Sequence, residues 1–258
     1  MNFRSNKPFS STPSLPFIYG SHPVLEALRS GQDIDKILLK KGMHNQAVQE
    51  ILTLARGRSV PVQEVPLEKL NRTTGKSHQG IIAFLSLVPY EDIQNILPAL
   101  FEKGEVPLLV ILDRITDVRN FGAICRSAVC AGAHAVIIPS RGAAQINEDT
   151  VKSSAGALGQ IPVCRSYNLK ETLRFLRESG VTVLGITEKA SGYYFNCDMT
   201  APVALLMGSE EDGISPEYLK LCDATAKIPM TGPVGSLNVS VAAGITLFEA
   251  VRQRTINA

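Results

Sequence analysis

Leu108-Leu109-Val110-Ile111-Leu112 is apolar at every position, with no polar residue to face water on either side. A strand with one wet face alternates apolar and polar residues; a strand covered on both faces does not, and strands of that kind belong to parallel sheets sandwiched between helices. The chain beyond this run repeats one unit. Strands expected at 135–138, 161–165, 181–186, 203–207 and 226–229 alternate with helices expected at 120–131, 149–158, 169–179, 216–221 and 236–254. That alternation predicts an α/β domain over residues 107–258 with a parallel sheet. Sheets of this class place ligands beyond the carboxyl ends of their strands.

A smaller α/β unit is expected ahead of it, over residues 17–88. Ser21 can cap a short helix that runs to Arg29, with Pro23 in its first turn. Strands are expected at 34–39, 60–65 and 80–87, and a helix at 44–58 with Val48, Ile51, Leu52 and Ala55 on one face. Residues 89–106, bracketed by prolines, read as a linker with a leading helix. Residues 1–16 are polar, rich in Ser and Pro, and lack the apolar stretch of a secretory signal; a disordered tail is expected there.

Charge is divided unevenly between the two units. Residues 1–88 carry 11 Lys+Arg against 6 Asp+Glu, a net +5; residues 89–258 carry 15 against 18, a net −3. A basic small unit beside a mildly acidic larger one fits a nucleic-acid grip joined to a chemical module, although a solvated charged surface has the same composition. The five cysteines form no C-x-x-C pair, which argues for reduced thiols in an intracellular setting, and four scattered histidines make a metal site unexpected. No apolar run is long enough to span a membrane.

Three blocks at strand-to-helix junctions carry the candidate chemistry. The first runs from Asn120 to Arg126, N-F-G-A-I-C-R. Asn120 is a good helix cap, and Arg126 sits about two turns on among apolar residues, where a guanidinium needs a phosphate, a carboxylate or a subunit interface. The second is Gly208-Ser209-Glu210, where Gly allows close backbone approach to a ligand and the carboxylate after a buried strand calls for a partner. The third runs from Ile228 to Ser240; Ser236 and Asn238 can cap the last helix or turn into a cleft. On that helix Leu237, Val241, Ile245, Phe248 and Val251 recur at helical spacing, as a core or a dimer surface, and Gly244 points to close packing. No dinucleotide or phosphate-loop glycine fingerprint and no G-x-S-x-G elbow occurs, which counts against a dehydrogenase, a P-loop enzyme or a serine hydrolase.

Taken in order, N-F-G-A-I-C-R, G-S-E-E-D-G-I and I-P-M-T-G-P-V-G-S-L-N-V-S-V-A-A-G-I are similar to the motifs of the SpoU/TrmH family of RNA ribose 2′-O-methyltransferases, within the SPOUT superfamily. The likeness covers roughly residues 17–254 and is strongest to the RlmB-type branch, which methylates a guanosine of large-subunit (23S) rRNA. It implies a deep trefoil knot in the C-terminal domain, an L30e-like RNA-binding fold for the small one, and a cytoplasmic homodimer paired through the C-terminal domain. It implies S-adenosylmethionine as cofactor, held by Gly208, Ile228 and Leu237 with Ser236 and Asn238, and no metal. Catalytic roles fall on Arg126, Asn120, Glu210, Ser236 and Asn238. Arg126 is expected to bind the phosphate beside the acceptor hydroxyl, because a guanidinium is a poor base, while Glu210 pairs with Arg126 or Asn120. Transfer RNA is the alternative substrate, and a non-catalytic ribosome-assembly factor the alternative function. One departure is Glu211-Asp212, where many relatives have Gly directly after the Glu. Lys40, Lys41, Arg72 and Lys76, with the H-Q-G-I-I segment from His78, are further candidates for RNA contact.

Overall fold

The computed structural model describes residues 16–256; the tail expected over the first sixteen residues lies, apart from Pro16, outside them. The first unit contains β1 (Phe17–Tyr19), α1 (Ser21–Arg29), β2 (Ile34–Lys40), α2 (Gln46–Gly57), β3 (Val62–Val65), α3 (Leu67–Thr73) and β4 (Ile81–Leu85). Its four-stranded sheet has the order β1-β4-β2-β3, with only β2 and β3 parallel. Val24, Leu28, Val48 and Ile51 of α1 and α2 pack on Ile37, Leu39, Ile81 and Ala83. Gly20, not Ser21, precedes α1, at φ +90°, a conformation glycine takes without strain. Asn45 caps α2 by accepting a hydrogen bond from the Val48 amide.

The second unit contains β5 (Tyr90–Glu91), α4 (Ile93–Glu102), β6 (Leu108–Leu112), α5 (Val118–Cys130), β7 (Ala135–Pro139), α6 (Glu148–Ser153), β8 (Val163–Ser166), α7 (Leu169–Glu178), β9 (Thr182–Ile186), β10 (Val203–Met207), α8 (Pro216–Leu219), β11 (Ala224–Ala226) and α9 (Val239–Ile256). Its seven strands run in the order β11-β9-β10-β6-β7-β8-β5, and every pairing is parallel. The apolar run of β6 lies at the centre and feeds two cores. Leu108, Val110 and Leu112 meet Phe121 and Ile124 of α5 and Leu247 of α9; Leu109 and Ile111 meet Leu97 of α4 and Leu173 and Leu176 of α7. The segment expected as a linker therefore supplies an edge strand and a packed helix to this layer.

The two units meet at one buried cluster. Arg165 on β8 donates to the Ile34 carbonyl at 2.9 Å and lies 3.5 Å from the Asp35 carboxylate, both side chains being less than a tenth exposed. The guanidinium stacks 3.4 Å from the centre of the Tyr90 ring, and Tyr90 Oη donates to Asp35 at 3.1 Å. Burial pushes the Tyr90 hydroxyl up to about 12, so it remains a donor at neutral pH.

Candidate active site

The loops after β6, β9, β10 and β11 converge at the carboxyl edge of the large sheet. The last three wall a cleft of about 690 Å³ lined by Gly208, Ile228, Ser236, Leu237 and Asn238, with Ile186, Thr187 and Glu188 at the end of β9 on its side. All five residues assigned to cofactor contact lie here. A second cavity of about 290 Å³, lined by Asn120, Thr116 and Arg114, shares Ser209, Glu210 and Val239 with the first.

Three side chains drawn from all three blocks form the wall between these cavities. Asn120 Nδ2 donates to Glu210 Oε1 at 2.8 Å; Asn238 Nδ2 donates to the same oxygen at 2.9 Å and to Asn120 Oδ1 at 3.0 Å. Asn238 Oδ1 accepts from the Ser240 amide and hydroxyl. Each amide orientation is thus set by its neighbour. The second carboxylate oxygen of Glu210 has no hydrogen-bond partner among the described residues, and Glu210 is exposed.

Local chemistry explains where these residues sit. Asp117, not Asn120, caps α5: its carboxylate accepts from the amides of Arg119 and Asn120. An aspartate before a helix satisfies orphan amides and favours the positive end of the dipole. That leaves the Asn120 side chain free to reach Glu210. The last helix starts at Val239, three residues later than expected, because Asn238 closes its first turn. Ser236 therefore lies in the loop rather than in the helix. Gly208 permits a close approach, but to its own chain: a Cβ there would fall 2.1 Å from the backbone of Gly213 and Ile214. Gly244, read as a packing glycine, has room for a methyl group, the nearest atom being Ser127 Oγ at 3.7 Å; the tight helix glycine is Gly122, against Ser153.

Arg126 does not join the cluster. It is exposed and has no ion pair or hydrogen bond among the described residues. Six residues beyond Asn120, it lies about 120° round the helix and about 9 Å along it. Of the two partners expected for Glu210, Asn120 is the one engaged, and Arg126 pairs with neither residue within the chain. Cys125, its neighbour in the motif, is buried, and burial pushes its thiol up to about 12, which rules it out as a nucleophile.

Sequence reading missed the clamp beneath the site. Asp113, 1% exposed, accepts from Ser215 at both amide and hydroxyl (2.7 Å each) and from Arg114 Nε at 3.1 Å. Arg114 also pairs with Asp212 at 2.9 Å, and the adjacent Asp113 carboxylate holds its guanidinium above the usual range. The Glu211-Asp212 departure is thus tied down through Asp212. An aspartate placed directly after a wholly apolar strand was the available signal.

Comparison with known proteins agrees with this arrangement. Residues 107–248 match the model of the SpoU rRNA methylase family, and residues 17–91 that of the RNA 2′-O ribose methyltransferase substrate-binding domain. The chain is 35% identical to the putative TrmH family tRNA/rRNA methyltransferase YacO of Bacillus subtilis, over 92% of this chain and 96% of the relative. It is 40% identical to the 23S rRNA (guanosine-2′-O-)-methyltransferase RlmB of Photorhabdus laumondii, over 92% and 98%. The crystal structure of the SpoU methyltransferase AviRb from Streptomyces viridochromogenes, in complex with AdoMet, superposes with a TM-score of 0.60 at 29% identity, covering 93% of this chain and 90% of that one. Three motif loops meeting at one sheet edge, in a chain matched over 92% of its length by these relatives, make this protein a member of the SpoU family of RNA 2′-O-ribose methyltransferases.

Proposed function

We propose that the protein transfers the methyl group of S-adenosylmethionine to a ribose 2′-hydroxyl of RNA, with a guanosine of large-subunit rRNA as the acceptor. The observation that carries this reading is the Asn120–Glu210–Asn238 wall between two cavities. A transfer reaction needs donor and acceptor held in line on either side of one set of orienting groups.

The larger cleft suits the cofactor. Its volume is in the range of small-molecule sites, and it offers the apolar Ile228 and Leu237 together with backbone polar groups along 208–213 and 235–239. When bound, S-adenosylmethionine supplies an electrophilic methyl group, so the protein has no nucleophile to provide. The residues then have positional tasks. Glu210 fixes both amides through one oxygen and offers the other to the ribose hydroxyl. Ser236 lines the cleft beside Asn238 and closes it toward the helix. Arg126 binds the phosphate next to the acceptor and stabilises the charge that builds on its oxygen as the hydroxyl proton passes to the free oxygen of Glu210.

Since Arg126 makes no contact with Glu210 of its own chain, we assign it to the site of a second copy. The exposed face of α9 supports this pairing. Val241 and Phe248 are each 49% exposed, an apolar stripe on a helix packed against α5, and Ser127 of α5 sits under Gly244. A dimer formed over that stripe carries Arg126 along its edge. Family membership further supports a trefoil knot in the C-terminal segment, an L30e-like fold for the small unit and a cytoplasmic location.

The test is radiolabelled methyl transfer to unmodified 23S rRNA, 16S rRNA and transfer RNA, followed by digestion to nucleosides. Label in 2′-O-methylguanosine from 23S rRNA is expected. Label confined to transfer RNA would reassign the substrate.

A further inference from the structure

The helices α1 and α2 cover one face of the small sheet; the other face has a different composition. Phe17 and Tyr19 of β1 and Phe84 of β4 lie on it together, each half-buried. The Phe17 ring is 6.0 Å from that of Phe84 and 6.4 Å from that of Tyr19. Two lysines sit over these rings: Lys36 Nζ lies 5.1 Å from the centre of Phe84, and Lys76 Nζ 5.8 Å from that of Tyr19. Lys36, Leu38 and Lys40 alternate onto the same face of β2. Beneath the rings is a small core of Leu38, Val65, Leu70 and Ile82, in which Leu70 of α3 is the single helical residue among those described.

We propose that this open face is a stacking platform for single-stranded RNA. The proposal rests on the RNA methyltransferase reading and adds to it the surface that grips the substrate. Unpaired bases stack on aromatic rings whatever their identity, while lysines track the backbone phosphates. A duplex hides its base faces and gains nothing from the rings. Phe17, Tyr19, Phe84, Lys36 and Lys40 give the face its rings and positive charge, and Asp35, the one carboxylate on these three strands, lines the cleft beside Lys36 and is paired with Arg165.

The platform also leads toward the site. Lys36 lines a cleft of about 570 Å³ between the two units, with Gln63, Arg141 and Gly142. Gly142 lines the smaller cavity beside Asn120 as well. A strand lying across the rings is thus directed past Arg141 to the acceptor side of the wall.

The deciding experiment measures binding of oligouridine and of an adenosine–uridine duplex to the full-length protein, by fluorescence anisotropy at several salt concentrations. The variants are Phe84→Leu, which keeps apolar volume but removes the ring, and Lys36→Gln, which leaves the core untouched. Circular dichroism and thermal unfolding check that the small unit of each variant is folded. Phe84→Leu is expected to weaken oligouridine binding about 5- to 150-fold while sparing the duplex. Lys36→Gln is expected to reduce the salt slope for the single strand by about 0.7. Unchanged oligouridine binding in both variants overturns the proposal, as does equal weakening of strand and duplex. Loss of self-association with RNA affinity intact would give the face to a second copy and also overturn it. A wild-type protein that binds oligouridine through this face but methylates no RNA would instead refute the catalytic reading.

Discussion

Asn120 and Arg126 lie on the same helix, in the same motif, and meet opposite circumstances. Asn120 is bound on two sides, by Glu210 and Asn238, and its orientation is fixed within the chain. Arg126, less than two turns away, is exposed and without a polar partner among the described residues. One end of α5 completes a site; further along, the helix packs on α9, with Ser127 facing Gly244. The difference shows that residues of one sequence motif need not close on one set of partners within the chain.

The largest effect is expected where the chain does not close on itself. Arg126→Ala should lower methyl transfer about 10²- to 10³-fold, in the range for losing one charge-stabilising group, with S-adenosylmethionine affinity unchanged by calorimetry. Glu210→Gln should cost about 10- to 100-fold, because the amide retains the shape but loses the charge that both asparagines donate to. Mixing the two inactive variants sharpens the comparison. If Arg126 serves the partner's site, subunit exchange should restore about a quarter of wild-type activity, since half the dimers are mixed and each has one intact site. No recovery after verified exchange would return Arg126 to its own chain.

Smaller effects probe the frame. Gly208→Ala should destabilise the protein by about 1–3 kcal/mol in thermal or denaturant unfolding, because its Cβ would lie within the backbone of the facing turn. Gly244→Ala has the least expected effect on the isolated chain, a gain of about 0.5–1 kcal/mol, since the helix accommodates a methyl at that position. Weakened dimerisation in the same variant, read by sedimentation, would locate Gly244 in the subunit contact.

The central sheet was legible because hydrophobic pattern alone specifies it. The run 108–112 has one explanation, and 203–207 was expected within its observed bounds. The residues that line the larger cleft were legible through motifs that bring Gly208, Ile228 and Leu237 together. Helix starts were less so: Asp117 competes with Asn120 for the cap, and Asn238 with Ser236, and a cap is decided by which side chain the neighbouring loop leaves free. The strands Phe17–Tyr19 and Tyr90–Glu91 are too short to carry a pattern and exist through their pairing partners. The Asp113 clamp and the Arg165–Asp35–Tyr90 junction join residues about a hundred positions apart, a relation no local spacing encodes.

One measurement tests the account most directly: transfer of a labelled methyl group from S-adenosylmethionine to unmodified rRNA by the wild-type protein, with the product digested and its nucleosides separated. Label in a ribose 2′-O-methyl nucleoside, lost in Arg126→Ala and Glu210→Gln, is the result this account predicts. Label on a base, or no label in any RNA from a protein that binds the cofactor, would contradict it.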